Sequence, residues 1–132
     1  MKYNCDIYEE ENKWIVEFPD MPNVLTYGES KEEALYMAKD ALNGVLAVDL
    51  DNKFPIPAPK YTGGYAIEVE PKIAFAITLR SCRAKLTQKE VASKIGMSYQ
   101  QYQKLENPNK ANPTLETLYK LQKVFNRPFL AL

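Results

Sequence analysis

Alternation with a period of two marks the first part of the chain. Over residues 2–8, Tyr3, Cys5 and Ile7 fall on one face and Asn4, Asp6 and Tyr8 on the other, the periodicity of a half-buried strand. Glu9, Glu10, Glu11 and Asn12 follow as a polar turn. Alternation resumes over residues 13–18, with Trp14, Val16 and Phe18 on one face. The two segments therefore predict a hairpin. Pro19 and Pro22 lack the N–H that a ladder requires, so the chain leaves the sheet there, and residues 24–27 predict a short third strand.

The period then changes. Ser30 and Glu33 have capping-box spacing, and Ala34, Leu35, Ala38, Ala41, Leu42, Val45 and Leu46 recur at helical spacing to about Asp49. The alanines on that stripe let the helix lie close to a sheet. Pro55, Pro57 and Pro59 make the next segment extended, and residues 65–69 alternate again as a fourth strand. The first 70 residues thus predict a β-β-β-α-β unit with its helix on one sheet face.

From residue 71 every periodic segment is helical. Pro71 suits a first helical turn, and Ile73, Ala76, Ile77 and Arg80 continue that helix to about Ala84. Thr87 with Glu90 has capping-box spacing again, and Val91, Ala92 and Ile95 form a narrow apolar stripe. Gly96 falls where the chain must reverse, a position at which glycine takes a left-handed conformation without strain. Met97 fills the angle, Ser98 caps the next helix, and Tyr102 and Leu105 turn back toward the first. Tyr99, Gln100, Gln103 and Lys104 are left outward. Amides and a cation on a protruding helix suit base edges and phosphates in a DNA major groove.

Thr87-Gln88, Ala92, Gly96 and Leu105-Glu106-Asn107 resemble the helix-turn-helix signature of phage-repressor (Xre-like) proteins. Transferred position by position, the resemblance implies DNA-facing roles for Gln88, Ser98, Tyr99, Gln100, Gln103 and Lys104. Lys89 and Lys94 are added as cations for phosphate and groove contacts, with Gln88 and Gln100 assigned to base edges. A turn-rich connector, Pro108 to Pro113, leads to a last helix opened by Thr114, with Leu115, Leu118, Leu121, Val124 and Phe125 as its buried side and Pro128 as its stop. Residues 129–132 are too apolar to hang in water, and a short strand or a packed tail is expected there, docked on this domain or at a dimer interface.

The N-terminal half carries a second resemblance. Trp14 to Pro22 (Trp-Ile-Val-Glu-Phe-Pro-Asp-Met-Pro), Thr26, Gly28, Glu29, Ser30, Glu32, Glu33 and Ala34, and Pro55-Ile56-Pro57 are similar to the HicB antitoxins. Lys13-Trp14 stands where that family has glycine-tyrosine, and Asn23 where it has glycine. The resemblance covers residues 1–70, and one branch of the family continues into a helix-turn-helix. It implies α+β architecture: a partial RNase H-like domain over residues 1–70, then an all-α DNA-binding domain over residues 71–132. It also implies a partner, a small basic RNA-cleaving toxin of the HicA type, and a second ligand, the operator of the chain's own operon. One reading helix covers few base pairs, so a homodimer or higher homo-oligomer is expected.

Charge sharpens this division. Lys and Arg number 17 and so do Asp and Glu, for a formal net charge of zero. Residues 1–70, however, hold 6 basic and 14 acidic side chains, while residues 71–132 hold 11 and 3. An acidic half (net −8) suits a cationic protein, and a basic half (net +8) suits an anion. Expected toxin contacts are the acidic run Glu9, Glu10 and Glu11 and the loop Asp20, Met21 and Pro22.

Two cysteines, Cys5 and Cys82, lie one in each half without metal-ligand spacing, which reads as reduced thiols. No apolar run or signal pattern points to a membrane, and a cytoplasmic location is expected. A metal-dependent nuclease would draw on Asp6, Asp40, Asp49 and Asp51, but no spacing forces them together. The chain has no histidine to serve as a base or proton shuttle. No enzymatic activity and no cofactor or metal are expected. The competing functional reading is a free-standing regulator whose N-terminal domain senses a ligand through Trp14, Tyr3 and Tyr27.

Overall fold

The computed structural model describes residues 1–129. Its elements run β1 (Lys2–Glu10), β2 (Lys13–Glu17), β3 (Leu25–Gly28), α1 (Lys31–Asp51), β4 (Tyr65–Glu68), α2 (Pro71–Arg83), α3 (Gln88–Ile95), α4 (Tyr99–Leu105) and α5 (Leu115–Phe125). The chain divides into two compact units, Met1–Ala74 and Phe75–Leu132. That division lies four residues beyond the sequence boundary and inside α2. The helix starts just after β4, so its first turn remains with the strand it leaves.

In the first unit a four-stranded sheet has the order β3-β2-β1-β4, antiparallel at every pair. The predicted polar turn is shorter than expected. Glu9 and Glu10 still pair with Trp14 and Lys13, leaving Glu11 and Asn12 as the turn, both at positive φ (49° and 66°). Two residues with φ > 0 give the reversal whose twist matches that of the flanking strands. Tyr3, Cys5, Val16 and Phe18 are buried on one sheet face with Ala34, Ala38, Leu42 and Leu46 of α1, the stripe that the periodicity predicted.

Gly28 explains how close the helix comes. A Cβ there would run into the backbone of Glu33 and Ala34, so β3 can end against the first turn of α1 only without a side chain. Ser30 Oγ accepts the Glu33 N–H, but the Glu33 carboxylate accepts from Glu29 N–H rather than completing the predicted reciprocal box. Asn43 is buried where the pattern gives no reason to expect it. Its amide donates to the Lys39 carbonyl one turn back in α1 and to the Glu68 carbonyl, and accepts from Glu70 N–H, so two of the backbone groups it satisfies lie at the end of β4.

The proline-rich segment is held to the sheet by polar contacts. Asp20 Oδ2 accepts from Lys60 N–H and Tyr61 N–H, both at 2.8 Å. The Tyr61 hydroxyl donates to Asp6 at 2.6 Å, Asn4 donates to the Gly63 carbonyl, and the Tyr3 hydroxyl donates to the Pro57 carbonyl. Burial, and then the neighbouring Asp6 carboxylate, push the Cys5 thiol up to about 11 from an ordinary 9.0. A raised thiol contributes stability below pH 9 that is lost as pH climbs toward 11, because the unfolded chain ionises first. Stability of this unit is therefore expected to fall across pH 9–11, and Cys5→Ala should flatten the first part of that fall, while the raised Tyr3, Tyr8 and Tyr61 hydroxyls share its alkaline end. Denaturant titrations followed at Trp14 check this.

The second unit is all helical among the described residues. Leu79, Val91, Ala92, Ile95, Tyr102, Leu105 and Leu121 form its buried core, with Phe75, Leu86, Met97, Val124, Phe125 and Phe129 packed around it. Phe129 meets Phe75 edge-on at 6.2 Å between ring centroids and Phe125 at 6.3 Å. The rest of the predicted strand or tail, residues 130–132, lies outside the described residues. Two expectations for α5 change. Leu115 is 76 % exposed, because it opens the helix before the apolar stripe reaches the core. The stop is Asn126 in a left-handed conformation, two residues ahead of Pro128. No described helix is long and apolar enough to cross a membrane.

Candidate nucleic-acid interface

Three local devices aim α3 and α4. Thr87 Oγ1 accepts the Glu90 N–H at 3.1 Å, while its hydroxyl lies 3.2 Å from the Glu90 carboxylate. That carboxylate therefore meets the hydroxyl and not the Thr87 N–H, so the box is half formed. Gly96 takes φ +72°, and Met97 N–H donates back to the Ala92 carbonyl at 3.0 Å, closing the first helix as the chain turns. Ser98 and Gln101 make the complete reciprocal box, both bonds at 3.1 Å. The turn is thus fixed by caps on both sides of one glycine.

With Tyr102 and Leu105 buried, the helical repeat places Gln100, Gln103 and Lys104 together on the opposite side of α4. All three are exposed, as is Lys89 at the start of α3. Gln88 and Tyr99 are half-buried. Lys89 Nζ stands over the Tyr99 ring, 5.2 Å from its centroid, a cation–π contact that draws the two helix starts together. Tyr99 thereby acquires a role that its chemistry alone did not announce. Ser98 is exposed, yet its oxygen is engaged as the cap, leaving its hydroxyl proton for an outside acceptor. Lys94 is exposed in the last turn of α3.

Behind this surface lies a contact that the sequence reading missed. Arg83 Nε and Nη2 donate to the two Glu106 carboxylate oxygens at 2.8 and 3.0 Å, and Nη1 donates to the Leu86 carbonyl at 2.9 Å. One guanidinium therefore ties the end of α2 to the entry of α3 and the end of α4. The hydrogen bonds to Glu106 hold the Arg83 pKa above its usual value. The Tyr102 hydroxyl is buried beside this pair and makes no hydrogen bond among the described residues. Burial first, and then the Glu106 carboxylate, push its ionisation far above the ordinary tyrosine range. Asn107 carries the connector, its side chain accepting from Asn109 N–H and its carbonyl from Lys110 and Ala111 N–H.

In the first unit the expected toxin contacts separate. Glu9, Glu10, Glu11 and Pro22 are exposed. Met21 is 1 % exposed and belongs to the core, because the loop folds inward to cover the end of the sheet, and it is corrected from surface contact to core residue. Asp20 is half-buried and spends one carboxylate oxygen on the proline segment. The three aromatic residues of the ligand-sensing reading do not converge, since strand parity puts Tyr3 and Trp14 on one sheet face and Tyr27 on the other. Among the described residues no three acidic or cysteine side chains gather closely enough to hold a metal ion.

Two capped helices crossing at a left-handed glycine, with amides and cations outward, define the second unit as a helix-turn-helix DNA-binding module. Residues 79–132 match the helix-turn-helix family model. Residues 2–73 match the model described as HicB-like antitoxin of bacterial toxin–antitoxin systems. The chain is 33 % identical over 107 residues to Antitoxin HicB 2 of Photorhabdus laumondii, covering 80 % of this chain and 77 % of that protein. It is 36 % identical over 103 residues to Antitoxin HicB of Escherichia coli K12, covering 74 % and 73 %. The chain belongs to the HicB antitoxin family.

Proposed function

We propose that this protein binds and neutralises a small, basic RNA-cleaving toxin of the HicA type through its N-terminal unit and represses its own operon through its helix-turn-helix. The observation that carries the reading is the joining of a HicB-like segment, residues 2–73, to a helix-turn-helix segment, residues 79–132, in one chain. The β-β-β-α-β order supports reading the first unit as a partial RNase H-like fold. The relatives are named as antitoxins and not as enzymes. Opposite charge supports both partnerships: an RNA-cleaving protein must be cationic where it meets phosphate, and an acidic unit can meet the same surface. A homodimer would set two α4 helices about 34 Å apart on one DNA face.

Co-expression with the small toxin gene beside its own, followed by copurification, growth rescue and gel shifts on the operon promoter, tests this function. Within it, Gln100 reads a base edge and Lys89 holds phosphate. Gln100→Ala is expected to lose about 1–3 kcal/mol of discrimination between operator and scrambled DNA. Lys89→Ala should weaken both alike and reduce the salt slope by about one. Quantitative gel shifts at several salt concentrations separate the two outcomes.

A further inference from the structure

One face of the sheet carries α1, and the other holds an apolar platform open to water. On that outer face the register sets Tyr8 beside Ile15 and Ile15 beside Tyr27, in a row across β1, β2 and β3, with Leu25 next to Glu17. Leu25 is 74 % exposed, Tyr27 46 % and Tyr8 40 %. A solvated sheet face ordinarily alternates to polar side chains, and a cluster of exposed aromatic and aliphatic groups marks an interaction surface. The Tyr8 hydroxyl donates to Glu17 at 2.7 Å, holding a carboxylate at the edge of the rings. Lys13 lies over the Tyr27 ring, 4.6 Å from its centroid. Just beyond, the hairpin end exposes Glu9, Glu10 and Glu11.

We propose that this open face, centred on Tyr8, Ile15, Leu25 and Tyr27 and rimmed by Glu10 and Glu17, is where the cationic RNA-cleaving toxin docks. The assignment rests on the antitoxin reading above and adds the surface that performs it. A protein that cleaves RNA offers cations to phosphates and flat apolar walls to bases. Aromatic rings edged by carboxylates present the same two kinds of group in return. Self-association through this face is disfavoured by charge, since it would bring two acidic rims together. The apolar centre sets how long the complex lasts, and the acidic rim sets how fast it forms.

Two full-length variants, Leu25→Ser/Tyr27→Ser and Glu17→Lys, titrated with the toxin encoded beside the gene, test the proposal. The double variant is expected to bind about 10- to 100-fold more weakly. Glu17→Lys should associate more slowly and with a flatter salt dependence, while promoter affinity stays unchanged in both. If the unmodified chain binds no toxin, the antitoxin reading fails and this assignment with it. If it binds and both variants bind equally well, only the docking face is overturned. Weakened self-association at full toxin affinity also overturns it, by making the face a contact between copies. Should a variant unfold, hydrogen exchange of the unmodified chain decides: toxin-dependent protection over residues 8–17 and 25–28 supports the face, and protection confined to other segments overturns it.

Discussion

Glu106→Ala is expected to lower the stability of the helix-turn-helix unit by about 3 kcal/mol, enough to abolish DNA binding at growth temperature. The Glu106 side chain is only 6 % exposed and that of Arg83 19 %, so truncating the acid strands a guanidinium that has little water to turn to. Arg83→Met/Glu106→Leu should recover most of the stability, because removing both charges leaves none unpaired. Glu116→Ala is the control. Its pairing with Lys120, at 3.4 Å and largely exposed, contributes at most about 0.5 kcal/mol. Urea unfolding followed by helical circular dichroism, alongside gel shifts, reads all three.

Gly64→Ala is expected to disable the other unit. Gly64 takes φ +63°, and a Cβ there would run into the Cys5 carbonyl oxygen, on the strand with which β4 pairs at Cys5 and Tyr65. Backbone strain of about 1–3 kcal/mol adds to a clash with an atom that cannot rotate away. The total should exceed about 3 kcal/mol and abolish the proposed toxin binding while DNA binding persists. Gly96→Ala separates the two causes. Gly96 also has positive φ (+72°), but the space around it is open, so only the conformational penalty of about 1 kcal/mol applies. Thermal melts of the three proteins give the ordering.

Burial patterning was legible wherever an element has one wet side and one dry side. Tyr3 and Cys5 against Asn4 and Asp6, the α1 stripe from Ala34 to Leu46, and Tyr102 and Leu105 inside with Gln100 and Gln103 outside all follow from periodicity. The outward residues of α4 could be named for the same reason: whatever the stripe does not bury, the solvent side must carry. Periodicity orients neither Met21, in the loop between β2 and β3, nor Leu115, the first residue of α5, because no repeat there says which way a side chain turns.

Local order in the chain determined the caps, the reversal at Gly96, the opposed charges of the two halves and the succession of strands and helices, because each depends on neighbours within a few residues. Only the tertiary structure decided that Arg83 meets Glu106, 23 residues away, or that Asp20 and Asp6 hold the proline segment across separations of 40 or more. It also decided that Tyr8, Ile15 and Tyr27 share one open face, since strand register joins residues that the linear chain keeps apart. Contacts of that kind arise from chain closure, and no single window of sequence contains both partners.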